Sequence, residues 1–144
     1  VLLQESGKRG LHIYVPLGRK YNHALAKMLG EIIARLVHGL LPATTSLDPR
    51  IANRQGRIYL DQTRNARGQA MAEPYSVRPF PGGTVSTPLK WAEVRKTLGP
   101  GKFTIKTMLG RVEKVGDLWA RVLGLGVDLV EMVKKLEMAY GQKR

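Results

Sequence analysis

Residues 6–17 read Ser-Gly-Lys-Arg-Gly-Leu-His-Ile-Tyr-Val-Pro-Leu. The first five are a turn by composition, and Leu11 to Leu17 are rich in β-branched and aromatic residues, which predicts a strand. Leu2 and Leu3 read as the end of an earlier strand, so the chain opens on paired strands around a basic, glycine-bearing turn. Beyond it, Asn22 is placed to cap a helix, and Leu25, Met28, Leu29, Ile32, Leu36 and Leu40 recur every three or four residues as one apolar stripe. Pro42 should stop that helix. Residues 43–55 read as a loop, Arg57 to Asp61 as a short strand, Asn65 to Gly68 as a turn and Gln69 to Arg78 as extended chain. Residues 79–90 hold four proline or glycine breakers before Pro88, a stretch unsuited to a central strand. Thr87-Pro88 suits the cap and first position of a short helix through Lys96. Leu98 to Lys102 is a further turn. Lys106 to Val115 and Gly126 to Tyr140 read as helices, the latter with Val127, Val130, Val133, Leu136 and Tyr140 as a core-packing face. Strands early and helices late give an α+β (mixed α/β) class.

The chain has 144 residues, with 24 Lys+Arg against 11 Asp+Glu for a net charge of +13, and no cysteine. That length bounds it to one domain or part of one. The 43% hydrophobic content supports a core and argues against wholesale disorder. Lack of cysteine excludes a disulfide scaffold, a zinc-thiolate site and a thiol nucleophile. No apolar run is long enough to span a bilayer and no signal-peptide pattern opens the chain, so the expected class is a soluble, intracellular, basic protein with no membrane partner. Such a charge favours a polyanion, nucleic acid first. The chain begins at Val1, as a processed protein or a piece of a longer one would.

Arginine is concentrated: Arg50, Arg54, Arg57, Arg64, Arg67 and Arg78 fall in one stretch without a lysine. The guanidinium fork matches phosphate oxygens two at a time. The stretch is therefore either a phosphate-binding floor or a solvated basic surface. Asp61 ends the apolar strand among these arginines, as their ion-pair partner or as a ligand for a divalent cation. In the Ser6–Gly10 turn, glycines would let backbone N–H groups face an anion, with Ser6, Lys8 and His12 as further donors. A plain basic turn is the alternative. The spacing is not that of a Walker loop, and a strand follows it rather than a helix. His12 shares a strand face with Tyr14, and no nucleophile with an orienting acid completes a triad around it. Gly99-Pro100-Gly101-Lys102 reads as a turn, since Pro100 and the absence of an immediate helix start argue against a phosphate loop.

Taken in order, SGKRGLHIYVPL (Ser6 to Leu17), GRIYLDQTRNARGQ (Gly56 to Gln69), PYSVRP (Pro74 to Pro79), TVSTPLKWAEV (Thr84 to Val94) and KVGDLWARVLGLGVDL (Lys114 to Leu129) resemble the primase-polymerase module of bacterial DNA ligase D, in the archaeo-eukaryotic primase superfamily. The resemblance covers nearly the whole chain. It implies that Ser6 and His12 are the family's second catalytic motif, contacting the incoming nucleotide, with Lys8 near the triphosphate. It implies that Asp61 is a catalytic, metal-binding carboxylate and that Arg54, Arg64 and Arg78 bind phosphates. This raises the metal reading of Asp61 above the ion-pair one. The cofactor implied is Mg²⁺ or Mn²⁺.

The family's Asp-x-Asp pair, which supplies the other metal ligands, lies upstream of the Ser–His motif, and here five residues precede Ser6. Glu5 replaces a usual Thr, Phe80 stands where many relatives are basic, and Glu73 where they are small and uncharged. The expectation is a single unit of residues 1–144, the C-terminal portion of a primase-polymerase domain. Its catalytic-sheet part is 1–90 and its helical tail 91–144. The activity implied is nucleotidyl transfer at DNA ends in non-homologous end joining, the chain alone being inactive. A non-catalytic, basic nucleic-acid-binding lobe is the alternative. The partners implied are DNA with double-strand-break ends, a nucleoside triphosphate, ligase and nuclease modules and Ku. An exposed apolar face where the upstream half packs would favour self-association. The location implied is the cytoplasm, at the bacterial nucleoid.

Overall fold

Leu2–Glu5 (β1) forms the centre of a three-stranded antiparallel sheet in this computed structural model. Leu11–Tyr14 (β2) pairs on one side, Leu3 opposite Ile13 and Gln4 opposite His12. Thr87–Leu89 (β5) pairs on the other, Leu3 opposite Leu89 and Gln4 opposite Pro88. The structure describes residues 1–124 and 126–141, with side chains except at 136, 137 and 139–141. Of the remaining elements, His23–Leu40 is α1, Thr45–Ser46 β3, Ile58–Tyr59 β4, Met108–Val115 α2 and Leu129–Gly141 α3. The mixed helix-and-sheet class expected from sequence holds. No described helix is long and apolar enough to cross a membrane.

The chain divides into two compact units: Val1–Lys20 with Ala72–Arg144, and Tyr21–Met71. In the first, Leu3, Val85, Leu89, Phe103 and Met108 form the core, with Tyr75, Leu98 and Val112 against it. The short helix expected to start at Thr87-Pro88 is instead β5. Pro88 is accommodated because β5 is an edge strand, where its missing N–H costs no ladder bond. A 3₁₀ turn at Trp91–Glu93 follows. The polar residues Gln4, Thr84, Ser86 and Thr87 are also buried. The Gln4 amide donates to the Ala72 carbonyl at 2.9 Å and to the Ser86 hydroxyl.

In the second unit, the Asn22 side chain accepts the Leu25 N–H at 3.0 Å and caps α1, and the helix ends at Leu40 with Leu41 as its C-cap, just before Pro42, as its sequence dictates. Its expected apolar stripe packs only in part. Leu29 is buried together with Ala34, whereas Leu25, Ile32, Leu40 and Met28 (51% exposed) face out. The packed face is rotated toward the small residues. Gly30 lies against the 3₁₀ turn Thr63–Asn65, where a Cβ would fall 2.7 Å from Asn65 Nδ2. β3 and β4 pair in parallel, Thr45 with Ile58 and Ser46 with Tyr59. The strand expected at Arg57 to Asp61 is thus two residues long.

The expected core face of α3 is also only partly buried. Val133 and Val127 are half-buried, but Val130 is 61% exposed, while the side chains of Leu136 and Tyr140 lie outside the described residues. What fixes the segment before α3 is backbone: the Val127 N–H donates to the Pro16 carbonyl at 2.8 Å. Gly126 approaches Gly18 so closely that a Cβ on Gly126 would sit 2.7 Å from Gly18 Cα. Gly124 has open space around it apart from one carbonyl at 4.0 Å. Gly126→Ala is therefore expected to destabilise the protein by about 1–3 kcal/mol through overpacking, and Gly124→Ala by less than about 0.5 kcal/mol. Urea unfolding of both variants checks the contrast, and equal stabilities would contradict the close approach.

Candidate nucleotide site

Ser6–Gly10 joins β1 to β2, and its backbone closes on itself. The Ser6 N–H donates to the Gly10 carbonyl at 2.9 Å, and the Ser6 hydroxyl oxygen accepts the Gly10 N–H at 3.0 Å and the Lys8 N–H at 3.3 Å. The Gly7 N–H turns inward to the Glu5 carboxylate at 2.8 Å. This corrects the expectation of backbone N–H groups facing an anion: those of Gly7, Lys8 and Gly10 are bonded within the loop. The groups of this loop that remain to meet an anion include the Ser6 hydroxyl hydrogen and the Lys8 ammonium.

Glu5 is 3% exposed. Burial pushes its carboxyl above the ordinary range, and the Gly7 and Lys8 N–H groups pull it partly back. Sequence reading noted Glu5 only as a departure from the family. β1 is the central strand, and Leu3, Gln4 and Glu5 are all buried, so alternation along the strand does not single Glu5 out. Thr84 was also missed, although its hydroxyl donates to the Gly7 carbonyl at 2.5 Å. Gly7 has a left-handed φ of 73°, and a Cβ there would fall 2.4 Å from Arg78 Cγ. The Arg78 stem thus lies across the loop, with its Nε buried and without a hydrogen-bond partner. The Arg78 N–H is anchored to the Thr84 carbonyl at 2.8 Å. Ser6, Lys8 and Arg78 are gathered at this loop.

His12 follows on β2, with its Nδ1 3.4 Å from the Tyr14 hydroxyl. Tyr14 packs edge-on against Trp119 at 4.7 Å, and burial first, then the nearby Glu73 charge, pushes its hydroxyl up to about 12. It remains a neutral phenol at physiological pH. The contact places the His12 ring beside that phenol, and which of the two donates follows from the His12 tautomer.

The second unit holds Asp61, Arg54 and Arg64. Asp61 Oδ1 accepts the Thr63 N–H at 3.0 Å and the Thr63 hydroxyl at 2.5 Å, closing the turn after β4. Oδ2 lies 3.7 Å from Arg64 Nε, and the Asp61 side chain is 37% exposed. Arg64 also donates to the Gln69 side chain at 3.1 Å. Arg54 stacks over the Tyr59 ring at 4.1 Å and donates to the carbonyls of Asp48, at 3.0 Å, and Pro49. Asp48, beside the arginine stretch, accepts from Asn53 at 2.6 Å and from the Arg50 N–H at 2.8 Å, which hold its carboxyl below the ordinary range. Among the described residues no three acidic or imidazole groups cluster as a metal site. With Oδ1 engaged by Thr63 and Oδ2 facing Arg64, Asp61 offers a divalent cation at most one carboxylate ligand and not a complete cage.

Residues 1–119 match the family model for the LigD primase-polymerase domain. The bifunctional non-homologous end joining protein LigD of Bacillus subtilis is 34% identical over 112 residues, and the multifunctional non-homologous end joining protein LigD of Pseudomonas aeruginosa 31% identical over 124. These alignments take in 77% and 85% of this chain but 18% and 15% of the relatives, so the chain spans less than a fifth of their length. The polymerase domain of Mycobacterium tuberculosis ligase D, solved in complex with DNA, superposes with a TM-score of 0.79 at 27% identity, over 88% of this chain and 44% of that one. A sequence match across most of the length and a shared backbone agree, and the chain belongs to the LigD primase-polymerase domain family.

Proposed function

We propose that this chain contributes the nucleotide-holding part of a primase-polymerase that extends DNA ends before ligation in non-homologous end joining. The observation that carries the reading is the closed Ser6–Gly10 loop with the Arg78 stem laid across it. A rigid turn that presents a hydroxyl, an ammonium and a guanidinium suits a triphosphate, because charge-assisted bonds from preset donors need no reorganisation. In this scheme Ser6, Lys8 and Arg78 orient the triphosphate, and the His12 ring contacts it from β2. Asp61, with Arg64 beside it, would hold one divalent ion. When bound, Mg²⁺ or Mn²⁺ supplies charge neutralisation and alignment of the attacking and leaving oxygens. The reaction is attack of a primer 3′-oxygen on the α-phosphorus with loss of pyrophosphate. DNA ends and a nucleoside triphosphate are the substrates, and ligase and nuclease modules and Ku the expected partners.

The 144 residues taken alone are expected to give weak or no primer extension, because Asp61 is one carboxylate where the family uses three. An extension assay with Mn²⁺ checks this, and extension at the rate of a whole module would refute it. Where the family's Asp-x-Asp segment is supplied, Asp61→Ala should lower extension by more than about a hundredfold, since losing even an outer partner of a metal ligand costs 10- to 100-fold. Unchanged activity would return Asp61 to an ion-pair role.

Ser6→Ala with His12→Ala should weaken triphosphate binding roughly tenfold or more while changing DNA affinity little. Calorimetric nucleotide titration beside DNA anisotropy measures both. A non-catalytic nucleic-acid-binding lobe would instead bind DNA without triphosphate or divalent ion, with log K falling at a slope of roughly −5 in log salt if about six arginines contact phosphates. For such a lobe the double variant would leave both affinities alike.

A further inference from the structure

Away from the Ser6–Gly10 loop, the first unit carries a cleft of about 330 Å³. Lys102, Thr107, Arg111 and Lys114 wall it, with Phe103 and Val115 as its apolar lining. Clefts of a few hundred Å³ hold small ligands, and this one has room for a single nucleotide unit. Its one carboxylate is already committed. Glu93 takes both Arg111 amino groups, at 2.6 and 2.8 Å, and the Lys90 N–H at 2.7 Å, with Arg111 the main cause holding its carboxyl below the ordinary range. Arg111 is committed in turn, donating to the Pro88 carbonyl at 2.9 Å and lying 4.8 Å over the Phe103 ring. The Glu93–Arg111 pair cancels itself. The charge left in the cleft is that of Lys102 and Lys114, and neither forms an ion pair among the described residues.

Lys102 ends the 3₁₀ turn Pro100–Lys102, within the glycine-bearing segment that the sequence marks as a mere turn. That turn is fastened to the loop's support. The Val85 N–H donates to the Phe103 carbonyl at 2.8 Å and the Ile105 N–H to the Gly83 carbonyl at 2.9 Å, on either side of Thr84, which holds Gly7. The surrounding stretch from Lys90 to Lys114 carries seven cations against two carboxylates and exposes Trp91.

We propose that this cleft is a second phosphate-binding site, taking one nucleotide unit of a DNA strand between Lys102 and Lys114 with its sugar against Val115. The site is separate from the triphosphate loop and rests on the DNA-binding part of the proposed function. The same phosphate chemistry also occurs in a free nucleotide, so the test has two arms.

In the first arm, a fluorescein-labelled duplex with a single-stranded overhang is titrated with the 144-residue protein at several salt concentrations. Lys102→Ala with Lys114→Ala should make the slope of log K against log salt shallower by about 1.5 to 2 and weaken binding by about tenfold at the lowest salt. Lys20→Ala with Lys27→Ala removes equal charge elsewhere and should weaken it less than about threefold. Equal losses from the two pairs would overturn the proposal while leaving DNA binding by the protein intact.

In the second arm, thymidine monophosphate is titrated against ¹⁵N-labelled protein without DNA. Saturable shifts at Lys102, Thr107 and Val115 at micromolar concentrations would make the free nucleotide the ligand and overturn the strand assignment. Shifts appearing there only with the overhang DNA support it. If the wild-type protein binds no DNA, the DNA reading itself fails. In that event an absence of shifts with the monophosphate removes the phosphate site as well.

Discussion

Gly7 is bonded toward the interior through both of its backbone polar groups. Its carbonyl takes the Thr84 hydroxyl and its N–H meets the Glu5 carboxylate, while the Arg78 stem occupies the space a Cβ would fill. These contacts fix the orientation of the peptide, and with it the direction in which Ser6 and Lys8 project. They also explain why the sheet carries so polar an interior. Gln4, Glu5, Thr84, Ser86 and Thr87 are buried, and hydrogen bonds among them and to backbone groups offset much of their loss of water, although the Gln4 amide oxygen has no partner. A carboxylate beneath the loop is costly to bury. The Gly7 N–H hydrogen-bonded to it, with the Lys8 N–H nearby, offsets part of that cost, and the Gly7 N–H is thereby withdrawn from any ligand.

A parallel economy governs the second unit. Asp61 is held by Thr63 from within its own turn, and that turn is positioned by the close pass of Gly30 on α1 over Asn65. One carboxylate oxygen does the folding and the other meets solvent and Arg64. A side chain divided in this way can serve as a turn-former and as a ligand at once, so the ion-pair and metal readings of Asp61 are not exclusive in physical terms. The guanidinium at 3.7 Å is a weak, solvent-screened partner.

Much of this was legible in the residues. The Asn22 cap, the Pro42 stop, the paired strands around the Ser6–Gly10 turn and the mixed class follow from capping chemistry, proline sterics and periodicity. Three features were not legible, each for a definite reason. Thr87-Pro88 satisfies a helix-start pattern equally well as an edge strand, and only the pairing with β1 decides between them. The stripes on α1 and α3 have helical period, but period says which residues share a face and not whether anything packs on it, so Met28 and Val130 are exposed. The glycines of the Ser6–Gly10 turn permit outward-facing N–H groups, yet an acid two residues before Gly7 captures the first of them. Recognising that requires knowing that β1 is the central strand of the sheet and buried on both faces.

Arginine and lysine have separate roles here, and the difference follows from their shapes. Arg54 and Arg57 donate to carbonyls of their own loop, Arg95 to the Ala92 carbonyl, and Arg111 to Pro88 as well as to Glu93. A planar fork with five donors can brace irregular backbone that has no ladder to join, and carbonyl oxygens satisfy it as readily as phosphate oxygens do. Clustered arginine in a sequence is thus ambiguous between scaffold and ligand contact. Lysine cannot brace in that way. Among the described residues its sole ion pair is Lys27 with Glu31, at 3.8 Å. Apart from Lys27, the lysines of the described residues form no ion pair. Where rigid structure holds two of them over one cleft, an anion gains from both without either having to be recruited from a fold contact.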